Sequence, residues 1–127
     1  MPKFATAINC IDGRTQVPVI EFLKQNYNVD FVDLITFPGV DGVLTSNRND
    51  VIELIKRNVE ISIKAHASNL VVISGHYDCA GNPVDENTHI KQILNAVEKI
   101  KQWGFDVEVK GLWIDENWKV KELKAGQ

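Results

Sequence analysis

The hydrophobic pattern switches between a strand period and a helix period along the chain. Phe4-Ala5-Thr6-Ala7-Ile8-Asn9 is short and mostly apolar and runs into Cys10-Ile11-Asp12-Gly13-Arg14. It predicts a first strand with Cys10 at its C-terminal end. Gly13 marks a turn, and Thr15 is placed to cap the helix that follows. In that helix Phe22 and Leu23 lie three and four positions after Val19 and share one buried stripe. Pro18 is tolerated because it falls in the first turn. Asn26-Tyr27-Asn28 closes the helix, residues 30–37 form a second strand, and Pro38-Gly39 ends it.

Residues 40–49 read as a loop, with Asn49 or Asp50 capping a long helix. Its positions Val51, Ile52, Ile55, Val59, Ser62, Ile63 and Ala67 keep helical spacing. The helix delivers the chain to Leu70-Val71-Val72-Ile73, the most apolar run and the mark of a buried central strand. After the sharp loop Gly81-Asn82-Pro83, residues 86–103 form another helix, with Ile90, Ile93, Leu94, Val97 and Ile100 on one face and Gly104 beyond its end. Residues 105–112 alternate as a fourth strand. Asp115-Glu116-Asn117 then turns the chain into a partner strand over residues 118–123. The order predicts one α/β domain over residues 1–127, with a mostly parallel sheet of about four parallel strands plus an antiparallel edge strand and helices on both faces.

Composition narrows the function classes. Of 127 residues, 44% are hydrophobic and 24% charged, as in an ordinary globular domain. A formal charge of -3 gives no electrostatic footprint for nucleic acid or for an acidic membrane surface. Lys91, Lys99, Lys101 and Lys110 form a solvated face. No apolar run reaches the roughly 18–20 residues of a membrane span, and Met1-Pro2-Lys3-Phe4 has none of the apolar stretch of a signal peptide. The expected compartment is the cytoplasm, where Cys10 and Cys79 are thiols or metal ligands in preference to a disulfide.

The chemistry collects around Ser74-Gly75-His76-Tyr77-Asp78-Cys79, at the exit of the central strand. His and Cys both suit a borderline-soft metal, but two ligands do not make a site. In an open parallel sheet, ligands bind outside the carboxyl ends of the strands. If the first and third strands are neighbours, a spacing of about 4.8 Å brings Cys10 to the same ion as His76 and Cys79. Three protein ligands with a fourth position open is the pattern of catalytic zinc. Asp12 and Arg14, on the turn after Cys10, can form a carboxylate–guanidinium pair beside it. In that pair Asp12 either accepts a hydrogen bond from a metal-bound hydroxide or takes the fourth metal position itself, as Arg14 holds or releases it. His66 and His89 lie on helices as exposed or partly buried side chains. Asp78 is expected to bond loop amides, and Trp103, Trp113 and Trp118 to make core or subunit contacts.

Cys10-Ile11-Asp12-Gly13-Arg14 with Gly75-His76-Tyr77-Asp78-Cys79 resembles the β-class carbonic anhydrases, which carry C-x-D-x-R after the first strand and G-H-x-x-C after the third. The resemblance extends to residues 107–123, which look like the family's closing hairpin, and to residues 33–39 ahead of the long helix. Ala80 stands where the family has glycine, and its Arg-Asn-Ala-Gly loop reads Phe37-Pro38-Gly39-Val40. The resemblance implies one zinc per chain on Cys10, His76 and Cys79, with Asp12 and Arg14 as the catalytic pair. It implies reversible hydration of carbon dioxide to bicarbonate in a homodimer or higher homo-oligomer. The alternative is a zinc-binding relative that binds a small anion or a partner, or that hydrolyses carbon disulfide or carbonyl sulfide.

Overall fold

The computed structural model describes residues 1–124; the last three positions of the expected 1–127 domain lie outside the described residues. The chain runs through β1 (Phe4–Asn9), α1 (Gln16–Tyr27), β2 (Phe31–Thr36), α2 (Val40–Leu44), α3 (Asn49–His66), β3 (Leu70–His76), α4 (Glu86–Lys101), β4 (Glu108–Ile114) and β5 (Val120–Leu123). Five strands form one sheet in the order β2-β1-β3-β4-β5. All pairs are parallel except β4 with β5, the expected antiparallel edge.

Strand alternation decides which helix covers which face. Ala5 and Ala7 of β1, with Leu70 and Val72 of β3, pack against Val19 and Leu23 of α1. Ile8, Val71 and Ile73 point the other way, into a core built with α2, α3 and α4. The step from β1 through α1 to β2 runs in one direction along the sheet, and the step from β3 through α4 to β4 runs in the other. β1 and β3 are adjacent, paired at Thr6–Val71, Ala7–Val72 and Ile8–Ile73. Their connections diverge at that point, which makes the cleft between their C-terminal ends the switch point of the sheet.

Several local expectations need correction. Residues 40–49 are not all loop: Gly39, at φ 59°, starts the short helix α2. Glycine adopts this left-handed turn at little cost, and what keeps so short a helix is burial of Val40, Asp41, Val43 and Leu44. Neither Asn49 nor Asp50 caps α3, because both already lie inside it and Arg48 holds the cap position without a side-chain bond. Thr15 flanks α1 but its hydroxyl turns back to the Asp12 carbonyl at 2.7 Å. The effective cap is on α4, where Asp85 accepts from the Thr88 amide at 2.8 Å. α4 stops at Lys101, two residues short of Trp103. β3 does not end at Ile73 but continues in register with β4 to His76. β4 is shifted to 108–114, and β5 begins only at Val120. No helix among the described residues is long and apolar enough to cross a membrane.

Ala67, expected on the buried stripe of α3, is instead its exposed C-cap at φ 54°. A left-handed L-residue is strained by about 1–2 kcal/mol, and glycine removes that strain. Ala67→Gly is therefore expected to raise the thermal midpoint by roughly 4 °C in differential scanning calorimetry. An unchanged or lowered midpoint would contradict this account of the cap.

Candidate metal centre

Cys10 leaves the end of β1, His76 is the last residue of β3, and Cys79 sits in the turn just beyond. All three are buried, exposed by 5%, 1% and 5% respectively. Their donor atoms lie within 4.8 Å of one another, and the two sulfurs are 3.9 Å apart. Two sulfurs each about 2.3 Å from a tetrahedral ion would stand about 3.8 Å apart. The separation is far too long for a disulfide, and both cysteines are free.

The histidine supplies the most telling detail. Its Nδ1 donates to the Tyr77 carbonyl at 2.7 Å, which leaves Nε2 as the atom with a free lone pair. Among the described residues, His76 Nε2 is the buried side-chain nitrogen or oxygen with no hydrogen-bond partner. A buried polar atom left unpaired is costly unless something else binds it. Two sulfurs, one correctly oriented imidazole and an orphaned Nε2 fit a zinc-type ion.

The protonation chemistry agrees. The bond with the Cys79 thiol, outweighing burial, pulls Cys10 down to about 4, helped by His76 and by the Asp12 and Gly39 backbone. Gly39 N–H reaches the Cys10 sulfur at 3.4 Å. Cys79 is pushed up by that same anionic neighbour and by burial. Burial opposes a charged His76, but its interactions with Cys10 and the Tyr77 carbonyl prevail and raise its basicity. These contacts favour the thiolate of Cys10, the form a metal takes.

Asp12 and Arg14 form the expected pair. The carboxylate accepts from Arg14 Nε at 3.0 Å, from Nη2 at 2.7 Å and from the Arg14 backbone amide at 2.9 Å. These bonds hold the Asp12 carboxyl down at about 2. Among the described residues no loop amide bonds the Asp78 carboxylate; its carboxylate and carbonyl both take Arg14, at 3.4 and 3.3 Å. Arg14 also lies over the Trp118 ring at 4.4 Å. Trp113 is core and Trp118 packs against the core's margin, both as expected, and Trp118 also borders the site. Ile11 and Tyr77, neighbours in sequence of Cys10 and His76, remain 61% and 50% exposed.

Two polar layers behind the donors were not foreseen. Ser74 donates to Asn9 at 2.8 Å, Asn9 to Gln16 at 2.9 Å, and Gln16 to the Cys10 carbonyl at 2.8 Å. Gln16 reaches the Asp12 carbonyl as well, at 3.1 Å. This line fastens the turn that carries Cys10 and Asp12. The signal was present in the polar residues Asn9 and Ser74 at the ends of apolar strand runs. The second layer centres on Asp41, 1% exposed. It takes His89 Nδ1 at 2.6 Å and Asn82 Nδ2 at 3.0 Å, and the Asn82 amide donates to the Cys79 carbonyl at 3.3 Å. His89, expected near the surface, is therefore buried. His66 stays at the surface, donating to Asp33 at 2.7 Å and stacked on Phe4.

His89 is a buried donor to the Asp41 carboxylate, and removing it leaves that acceptor short of a partner, at a cost of about 1–3 kcal/mol. His89→Leu is expected to lose about that much in urea denaturation. His89→Gln, which can still donate to Asp41, should lose clearly less. Equal losses would show that the bond to Asp41 is not what holds His89 in place.

In solved structures, the chain is similar to the β-carbonic anhydrase CafA of the fungal pathogen Aspergillus fumigatus, at TM-score 0.60 and 14% identity, over 99% of this chain and 77% of that one. It is equally similar to tetrameric β-carbonic anhydrases of the filamentous ascomycete Sordaria macrospora, at TM-score 0.60 and 14% identity, over 99% and 82%. At that identity the likeness is one of fold. No curated protein sequence matches the chain. A family model described as "Putative carbonic anhydrase" matches residues 1–124. The chain belongs to that carbonic anhydrase-like family.

Proposed function

We propose that Cys10, His76 and Cys79 bind one zinc ion per chain and that the protein catalyses reversible hydration of carbon dioxide to bicarbonate. The observation that carries this reading is the orphaned Nε2 of His76, set against two sulfurs 3.9 Å apart. Zinc, when bound, makes a hydroxide nucleophile available near neutral pH. Three donors leave one of four positions for that chemistry.

The chain's own residues do the rest. Cys10, with the Gly39 amide on its sulfur, and Cys79 supply charge that balances the ion. Asp12 stays anionic at any pH above about 4, since Arg14 holds its carboxyl at about 2. It can therefore accept a hydrogen bond from the nucleophile and aim its lone pair at the substrate carbon. Arg14 fixes where that carboxylate points.

The same reading includes a homodimer or a multiple of it. The outer edge of β2 pairs with no described strand, and Phe31 and Leu34 along it are 55% and 38% exposed. An apolar unpaired edge favours association, and the Sordaria macrospora relatives are tetrameric. The two free cysteines suit the reducing cytoplasm.

Stopped-flow carbon dioxide hydration by the zinc-loaded protein tests the proposal directly. Wild type should turn over, and Asp12→Asn should keep its zinc while losing about 100-fold or more of the rate. Zinc bound without hydration would move the reading to carbon disulfide or carbonyl sulfide hydrolysis, or to a binding module. That alternative is motivated by the altered loop Phe37-Pro38-Gly39-Val40. Turnover should also rise between about pH 6 and pH 9 as the nucleophile ionises. Asp12, already anionic across that window, contributes nothing to the rise, so a flat profile would contradict the mechanism. Sedimentation velocity should find a dimer or a multiple of it, and a monomer at working concentrations would remove the oligomer from the proposal.

A further inference from the structure

Four non-glycine residues among those described have positive φ: Asn28 and Ala67 at 54°, Asp78 at 58° and Trp118 at 60°. The first two simply close α1 and α3. The other two lie on separate turns, one between β3 and α4 and one in the β4–β5 hairpin. Aspartate tolerates this conformation better than most residues, whereas a bulky tryptophan is disfavoured in it. Strain of this kind persists where the surroundings impose it, and it gathers at functional sites. Both strained residues touch the same side chain, Arg14.

Together they occupy most of the guanidinium. Asp78 takes Nη1 with its carboxylate at 3.4 Å and Nη2 with its carbonyl at 3.3 Å. Asp12 takes Nε at 3.0 Å and Nη2 at 2.7 Å. The Trp118 ring covers a face, 4.4 Å from Cζ, in a cation–π contact. Burial does not hold Arg14 in place, because its side chain is 47% exposed. A long, half-exposed side chain loses rotamer freedom when fixed in one geometry, so its position depends on these contacts. Trp118 also stands beside the donor set, its ring 6.2 Å from that of His76.

We propose that Trp118 and Asp78 are positioning residues for the Arg14–Asp12 pair, and that the β4–β5 hairpin thereby becomes part of the active site. The catalytic sense of this rests on the hydration reading above, while the clamp itself is a statement about Arg14. Trp118 fixes the plane of the guanidinium, and Asp78 fixes its rotation within that plane. Arg14 then presents Nε and Nη2 together to Asp12. When the clamp is loosened, Arg14 samples solvent and Asp12 loses its fixed direction.

The test uses Trp118→Leu, Trp118→Phe and Asp78→Ala in the full chain, with Arg14→Ala as the second background. In ¹⁵N NMR the Arg14 Nε–H signal should exchange slowly with water in the wild type and in Trp118→Phe. It should exchange fast in Trp118→Leu and faster than wild type in Asp78→Ala. In zinc-loaded protein, Trp118→Leu should lower kcat/KM about tenfold, in the range of lost outer contacts around a metal site. Trp118→Phe should recover most of that loss. In the Arg14→Ala background, Trp118→Leu should have no further effect, because a residue acting through another shows a non-additive cycle.

An Arg14 signal unmoved by Trp118→Leu, or an equal loss in both backgrounds, would overturn the proposal. Should Trp118→Leu fail to fold, Asp78→Ala decides the same question, since Asp78 is exposed. If wild type shows no hydration, the hydration reading fails while the NMR measurement still decides the clamp.

Discussion

Parallel pairing of β1 with β3 is the constraint on which the rest of the site depends. Three register pairs, Thr6–Val71, Ala7–Val72 and Ile8–Ile73, fix the two strand ends side by side. Cys10 thereby arrives next to His76 and Cys79, although the two cysteines are 69 positions apart in sequence. The pairing holds because both faces of both strands are buried, Ala5, Ala7, Leu70 and Val72 toward α1 and Ile8, Val71 and Ile73 toward the other helices. A slip of one residue would turn every one of these side chains to the wrong face. The geometry of the three donors is thus carried by the hydrophobic register, and they stand where the connections leave the sheet in opposite directions.

Around the donors, polar groups are arranged so that each one fixes another. Gln16 holds the carbonyls of Cys10 and Asp12, and the Gly39 amide points at the Cys10 sulfur. Asp41 joins α2, α4 and the loop after Cys79 through His89 and Asn82. Gly75 is required by the same packing, because a Cβ there would lie 2.4 Å from the Asp41 carboxylate. Each of these groups is buried or half-buried and bonded, the condition under which a polar network gives rigidity. His76 Nε2 is the exception, and its isolation is what a metal would relieve.

What could be read from the chain was whatever depended on short-range pattern. The strand and helix periods located all five strands and the long helices, and the two motifs at strand ends placed Cys10, Asp12, Arg14, His76 and Cys79. Their convergence was legible because parallel α/β topology leaves few ways to order the strands. Features held by distant contacts were hidden. α2 is a five-residue helix kept by burial of Val40, Val43 and Leu44 and by the bonds of Asp41 to His89 and Asn82, against the breaking tendency of Gly42. His89 looked peripheral because its partner lies 48 positions away. Gly75 looked like the end of a strand, but it is a gap left for Asp41. The left-handed turn at Trp118 delayed β5, and neither propensity nor spacing announces a tryptophan in that conformation.

The central claim is that two sulfurs and one imidazole nitrogen form a single metal site. X-ray absorption on the zinc-loaded protein measures this directly, since scattering distances identify ligand type. The account predicts two sulfur scatterers at about 2.3 Å and a histidine nitrogen at about 2.0–2.1 Å, with one sulfur lost in Cys79→Ser. Zinc ligated only by nitrogen and oxygen, or protein that takes up no zinc with both thiols reduced, would contradict it.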